Sequence, residues 1–544
     1  MAHSPKWLAS LALVAAVGLT ACTGGSDASK SPAASSKVVE TTPAGTQKVD
    51  SVVWGLPTGE PTTIDPMIAG GASESTVSAN LCESLLTVQP DFTIEPGLAT
   101  SAEWATPTTL ELDLREDVTF WDGTPMTTED VLYSLKRTAD PKGPSFYSGA
   151  FRGVKSIEKT GPSQVTITFS AHDAQFRNAL AGPVGAIVQA AFTQKAGRSF
   201  GTSGGDVMCT GPYEFVSWKS GDSIKIAANP DYWNGEPNVD AIEFRFVGDT
   251  ATLTTALRSG EIDGAYDLPI SAAVALNKAG SGTLYRGTST QSLSFGPTSE
   301  HGPAADPRVR EALSLAIDRE ALISSVLRGM GTVQRTFTAP LAWQGDAAAA
   351  IYQEGYDALP AGKPDLTKAK ALVEEAGAGS RKLVMAIPAG GGTESQAAVV
   401  VQAAAKEVGL QIELKTLQPT EFSELFYNPA KRAEIDFVCT TGYQEVPGSL
   451  YYAPEFTQPT GLFNWSRYSD PEVSKLIDDA RASSDPEVIA TKFTEAQAIF
   501  APDNLQVTLA GMDSLLYLGD GLSGAPASIA HLSSPWALTL GGTK

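Results

Sequence analysis

Along most of this chain, short stretches of alternating apolar and polar residues are interleaved with longer stretches of helical period. Leu110, Leu112 and Leu114 alternate with Glu111 and Asp113 and predict a half-buried strand. Thr127 and Asp130 then have the spacing of a capping box, and Val131, Leu132 and Leu135 mark the apolar face of a helix. "SQVTITFS", "RKLVMAIPA" and "LQIELKTL" predict further strands. "ATLTTALRSG", closed by Gly260, "DLTKAKALVEEAG" and "ESQAAVVVQAAAKEVG" predict further helices. In "DPRVREALSLAIDREALISSVLRG", Asp306 is a cap and Pro307 takes the first helical position. Val309, Leu313, Ala316 and Ile317 line the apolar side of that helix. This alternation of strands and helices predicts α/β lobes. A chain of 544 residues is too long for one ordinary core, so two or more lobes are expected, with a boundary near residue 300.

The N-terminal segment reads differently. His3 and Lys6 precede an almost continuous apolar run from Leu8 to Ala21. That run falls short of the roughly 20 residues needed to span a bilayer. A basic start, an apolar run and small residues have the order of an export signal. Leu19-Thr20-Ala21-Cys22 resembles the lipobox of bacterial lipoproteins, which implies cleavage before Cys22 and a lipid anchor on that cysteine. The expected layout is a signal peptide at 1–21 and a lipidated cysteine with a flexible tether at 22–47. Export permits a disulfide, and Cys82, Cys209 and Cys439 remain to share it. The sequence does not choose the pair.

A formal net charge of -22 argues against a nucleic-acid partner, because nothing would neutralise a phosphate backbone. The four histidines, His3, His172, His301 and His531, are far apart, and no metal site or cofactor is predicted. Gly201, Ser203 and Gly205 form G-x-S-x-G, but loop flanks them on both sides, whereas a nucleophile elbow needs a strand before and a helix after. No catalytic residues are predicted. Tyr443, Tyr451 and Tyr452 cluster beside Glu445, with Gly442 and Gly448 nearby. Rings with polar tips and a carboxylate could line a ligand cleft between lobes. The local alternative is a solvated loop with buried rings.

Four stretches, in chain order, resemble the family 5 extracellular solute-binding proteins of ABC importers, the oligopeptide, dipeptide and nickel type. They are "LELDLREDVTFWDGTPMTTEDVLYSLKR", "CTGPYEFVSWKSGDSIKIAANPDYWNGEPNVDAIEFRFV", "LRSGEID" and "DPRVREALSLAIDREALISSVLRG". The resemblance runs from about residue 50 to near the C-terminus. It implies an α/β, two-lobed periplasmic-binding-protein type II fold of the large class, with a subdomain inserted in the first lobe. Lobe one would take 48–300, with the insert at about 81–204, lobe two 301–500, and 501–544 would return to lobe one. "TGPY" would lie where the chain returns from the insert.

The same resemblance implies a monomer that closes by a hinge motion on a peptide or peptide-like solute, docks on an ABC permease and does no chemistry. It would work at the extracellular face of the cell membrane, on the periplasmic side where the envelope has two membranes. Peptide binders of the family hold the ligand's α-amino group with an acidic residue in a stretch like W-x-A-D-Y-x-x-P. In "DFVCTTGYQEVPGSLYY", Glu445 best matches that acid and Tyr443 is the aromatic nearest to the expected tryptophan. The expected ligand-binding residues are therefore Glu445, Tyr443, Tyr451 and Gly442. The alternative within the fold is a non-peptide solute, such as a nickel chelate, an opine or a sugar conjugate. An extracellular hydrolase ranks below both, because it needs a nucleophile and a base brought together in space.

Overall fold

The computed structural model describes residues 37–543 apart from 344, 380 and 391, so the leader and Cys22 lie outside the described residues. Two mixed sheets organise the rest. The first has eight strands in the order Val38–Val39, Gly282–Gly287, Ser514–Gly519, Gly264–Ala265, Val52–Leu56, Ala241–Phe246, Ser223–Ala228, Tyr213–Lys219. The second has six, in the order Gly331–Thr332, Val507–Met512, Ser292–Pro297, Phe437–Gly442, Lys382–Pro388, Gln411–Leu417. Val52–Leu56 runs parallel to a neighbour on each side and is buried almost throughout, which suits the unbroken apolar run VVWGL. Its Trp54 packs on Trp536 and Tyr266, with ring centroids 4.3 and 5.2 Å away.

Between Val52–Leu56 and Tyr213–Lys219 the chain leaves the first sheet and builds a four-stranded antiparallel sheet of its own, Ala99–Thr106, Thr109–Leu114, Gln164–Phe169 and Val154–Lys159. Leu110, Leu112 and Leu114 face its core, as the alternation predicts. The helix Thr128–Ala139 carries the capping box of Thr127 and Asp130. The neck of this insert is doubly tied. Cys82 and Cys209 form a disulfide, while Cys439 is free and buried. Beside the disulfide, Glu83 accepts hydrogen bonds from Tyr232 Oη at 2.7 Å and Thr210 Oγ1 at 2.8 Å. The Trp233 Nε1–H adds a third donor at 3.1 Å, and burial pushes the Glu83 carboxyl up to about 7. "TGPY" sits at the return: Gly211 N donates to Leu81 O at 2.9 Å, and Tyr213 opens the strand that rejoins the first sheet.

Three expectations are corrected. The body of the fold starts before residue 48: Val38–Val39 pairs with Arg286 and Gly287, and Thr41 and Gln47 bridge to Pro526 and Gly542. Edge pairing uses main-chain groups, so a Ser/Thr-rich stretch with little to bury can still be held. The lobe crossings fall at 288–291 and at Asp513, not near 300 and 500, because Ser292–Pro297 and Val507–Met512 pair with each other in the second sheet. The helix from Pro307 stops at Ala316. Ile317 is extended, and Asp318 caps a new helix, accepting from Ala321 N at 2.9 Å.

Candidate ligand cleft between the lobes

The strand Phe437–Gly442 ends at the gap between the two sheets, and the next residues form its wall. From Tyr443 to Val446 the side chains alternate: Tyr443 and Glu445 line the gap, while Gln444 and Val446 are buried behind it. Val446 is embedded in the core of the insert. Gln444 Nε2 donates to Val446 O at 2.9 Å, and Thr290 Oγ1, in the crossing, donates to Gln444 O at 2.8 Å. Glu445 is thus aimed by residues that belong to both lobes and to the hinge between them.

The gap is a half-open cleft with about 3100 Å³ of space. Pockets for drug-sized ligands measure roughly 300–1,000 Å³, so there is room here for a longer solute with water around it. Gly442, Tyr443, Glu445 and Tyr451, expected from sequence, all lie on its wall. Glu445 is only 9 % exposed, and burial pushes its carboxyl up to about 7, with the facing Tyr451 hydroxyl favouring the ionised form. Among the described residues no lysine, arginine or histidine forms an ion pair with it. Burial, with the Glu445 charge adding to it, holds the hydroxyls of Tyr147, Tyr443 and Tyr451 well above the usual tyrosine range. The carboxylate therefore sits among neutral hydroxyls.

Sequence reading missed the facing side. Tyr147, from the insert, donates to Ala69 O at 2.8 Å, and Tyr443 donates across the gap to Gly70 O at 3.2 Å. Asp267 and Glu74 line the same cavity. No local pattern joins these positions to Glu445; only the topology does. A side chain at Gly442 would run into the Tyr452 hydroxyl, so the glycine serves packing within the wall. Gly448, at φ +131°, admits Gln175, whose Nε2 donates to Pro447 O at 3.0 Å.

The insert also reaches the second lobe across the mouth of the cleft. Arg481 Nη1 lies 3.1 Å from Asp173 Oδ2, and Arg152 Nη1 donates to Thr460 Oγ1 at 2.7 Å. Phe146 and Tyr427 meet edge to face at 6.3 Å. At the hinge, Arg286 Nε donates to Asp513 Oδ2 at 2.7 Å. Among the described residues no group of three or more His, Cys, Asp or Glu is placed to hold a metal. Gly201, Ser203 and Gly205 lie in turns, outside any strand-to-helix elbow.

The sequence model of the bacterial extracellular solute-binding proteins, family 5 (middle), matches residues 93–464. The chain belongs to that family. It is a solute-binding protein that acts outside the cytoplasm, and not an enzyme. The glutathione-binding protein GsiB of Escherichia coli K12 is 26 % identical over 446 residues, covering 80 % of this chain and 84 % of GsiB. The oligopeptide-binding protein AppA of Bacillus subtilis, solved with a nonapeptide, superposes with a TM-score of 0.79 at 21 % identity, covering 92 % of this chain and 100 % of AppA. The binding protein AgaA of A. tumefaciens R10, solved with agropinic acid, also gives 0.79, at 23 % identity, covering 91 % of this chain and 99 % of AgaA. The two structures share one TM-score with this chain and hold different ligands, so the fold alone leaves the solute to be argued from the cleft.

Proposed function

We propose that this protein captures a peptide or peptide-like solute with a free amino group between its lobes and delivers it to an ABC permease. The observation that carries the reading is Glu445: a carboxylate 9 % exposed, on the wall of the interlobe cavity, with no cationic side chain paired to it among the described residues. A buried carboxylate demands a compensating charge. A ligand ammonium supplies one, and the facing Tyr451 and Tyr443 offer polar tips beside it. The names of GsiB and AppA, one a glutathione binder and one solved with a nonapeptide, support the same class of solute. The size of the cavity supports a ligand of several residues, with side chains in wet pockets and main-chain groups paired to the walls.

The lipid anchor is part of the proposal. Cys22, outside the described residues, would carry the lipid, and the chain is paired into the first lobe from Val38 onward. The 15 residues between them could reach at most about 54 Å, at roughly 3.3–3.6 Å per residue.

Purified protein lacking the leader is titrated by calorimetry with free-amine tetrapeptides and with the same peptides acetylated at the amino end. Binding of the free peptides and loss of at least about tenfold on acetylation is the expected result; an isolated amine-to-carboxylate contact of this kind is worth roughly that much. Equal binding of both forms would reject Glu445 as the amine site. Absence of binding to either would reject the peptide reading.

A further inference from the structure

A second feature of the cleft lies on the second lobe. The helix Pro419–Tyr427 and the loop at 461–467 bring Phe422, Phe426, Phe463 and Trp465 together. Phe426 is the hub. Its ring centroid lies 5.7 Å from Phe422, 6.3 Å from Phe463 and 5.6 Å from Trp465, and all three pairs are edge-to-face. Each of the four rings lines the cavity, and Phe426, Phe463 and Trp465 are only half-buried.

This cluster is pre-set. The Trp465 Nε1–H donates to Leu462 O at 3.0 Å, which holds the indole. The Arg432 guanidinium lies 4.4 Å from the same ring, and it is held in turn by a bond from Nη1 to Leu425 O at 2.6 Å. Arg432 is not among the residues lining the cavity, so the cation covers one part of the indole while another part lines the cavity. Half-buried rings locked in place around an internal cavity form a ready apolar contact surface, with little ordering left to do when something binds.

The cluster also connects to the amine site. Tyr452, whose hydroxyl stands against Gly442, three residues before Glu445, lies 6.4 Å from Phe463, and Phe463 lies 6.2 Å from Trp465. An extended peptide advances about 3.3–3.6 Å per residue. The rings are therefore within reach of a side chain in the first four or so residues of a ligand whose ammonium rests on Glu445.

We infer that Phe422, Phe426, Phe463 and Trp465 form a side-chain subsite selecting a peptide with an aromatic or large aliphatic residue close to its amino end. This rests on the peptide reading above. The test uses four tetrapeptides: tetra-alanine, and three in which phenylalanine replaces the second, third or fourth alanine. Burying one such side chain is worth about ten- to hundredfold in affinity. One of the three phenylalanine peptides is expected to exceed tetra-alanine by at least about tenfold. In the Phe426→Ala variant that ratio should collapse towards one, and in Glu445→Gln it should persist while both affinities drop. The wild-type series stands by itself should Phe426→Ala fail to fold. Four equal affinities would overturn the subsite and leave the peptide reading intact. No binding of any of the four would overturn both.

Discussion

Lowering the pH should loosen the hold on an amine-bearing ligand, and Glu445 sets where. In the empty cleft its carboxyl is pushed up to about 7 by burial. Below that pH the free protein holds it protonated, and an incoming ammonium must displace the proton. Pairing with an ammonium lowers a carboxyl by about 1–3 units, so the bound form stays ionised further down the scale. The sign follows: affinity is full above the free-protein value and is lost as the pH falls through 7. On the alkaline side a peptide α-amino group loses its own charge near pH 7.7–8.0, roughly, which bends the profile down again. Multiplying the two charged fractions gives a maximum near pH 7.5 and a dissociation constant about fivefold weaker at pH 6. Calorimetry in two buffers of different ionisation heat counts the protons. At pH 6 the wild type should release about 0.4 to 0.9 proton per ligand bound, for a lowering of 1 to 3 units. The Glu445→Gln variant should release none and should lose the acid limb of the profile. An acid limb of unchanged shape in Glu445→Gln, or no proton release in the wild type, would refute the assignment of that limb to Glu445. The ligand-free protein gives an independent check. A carboxyl raised on folding makes the folded state the stronger proton binder, so the Glu445 contribution to stability grows as the pH falls from 7 towards 4.5.

Two further outcomes concern the frame around the cleft. The Cys82–Cys209 disulfide closes a loop of sequence separation 127, and replacing both cysteines with serine should lower stability by about 2–5 kcal/mol in urea unfolding. Equal midpoints for oxidised and reduced protein would contradict that estimate. The protein expressed with its leader should yield an N-terminal peptide that begins at Cys22 and carries the added mass of acyl chains, read by mass spectrometry. An unmodified Cys22, or an N-terminus elsewhere, would count against the lipid anchor.

How far these features are legible in sequence depends on the range of the interactions that make them. Strands and caps are local. Leu110 to Leu114 alternates because one face of that strand is buried, and Thr127 bonds to Asp130 within one helical turn, so period and spacing carry both. Glu445 and its tyrosines are legible for a related reason. A six-residue strand delivers them, and the wall they form is continuous in the chain. What faces them is not. Tyr147 and Gly70 are brought opposite Glu445 by the insert and the first sheet, and no residue near 445 carries a trace of them.

The cysteines depend on long-range topology in the same way. Three thiols are equivalent by count, and export permits any pair of them. Topology removes the equivalence. Cys82 leaves the first sheet and Cys209 returns to it, so the neck of the insert holds them side by side however far apart they are in sequence. Cys439 sits inside the strand Phe437–Gly442, in the interior of the second sheet, with its thiol against Glu394 O at 3.8 Å and pushed up by burial. It has no route to either partner without breaking that sheet. The same strand ends three residues before Glu445. A change at Cys439 that disturbs its packing should therefore register at the cleft before it registers in any redox assay, because a buried, protonated thiol is a poor nucleophile and a good core residue.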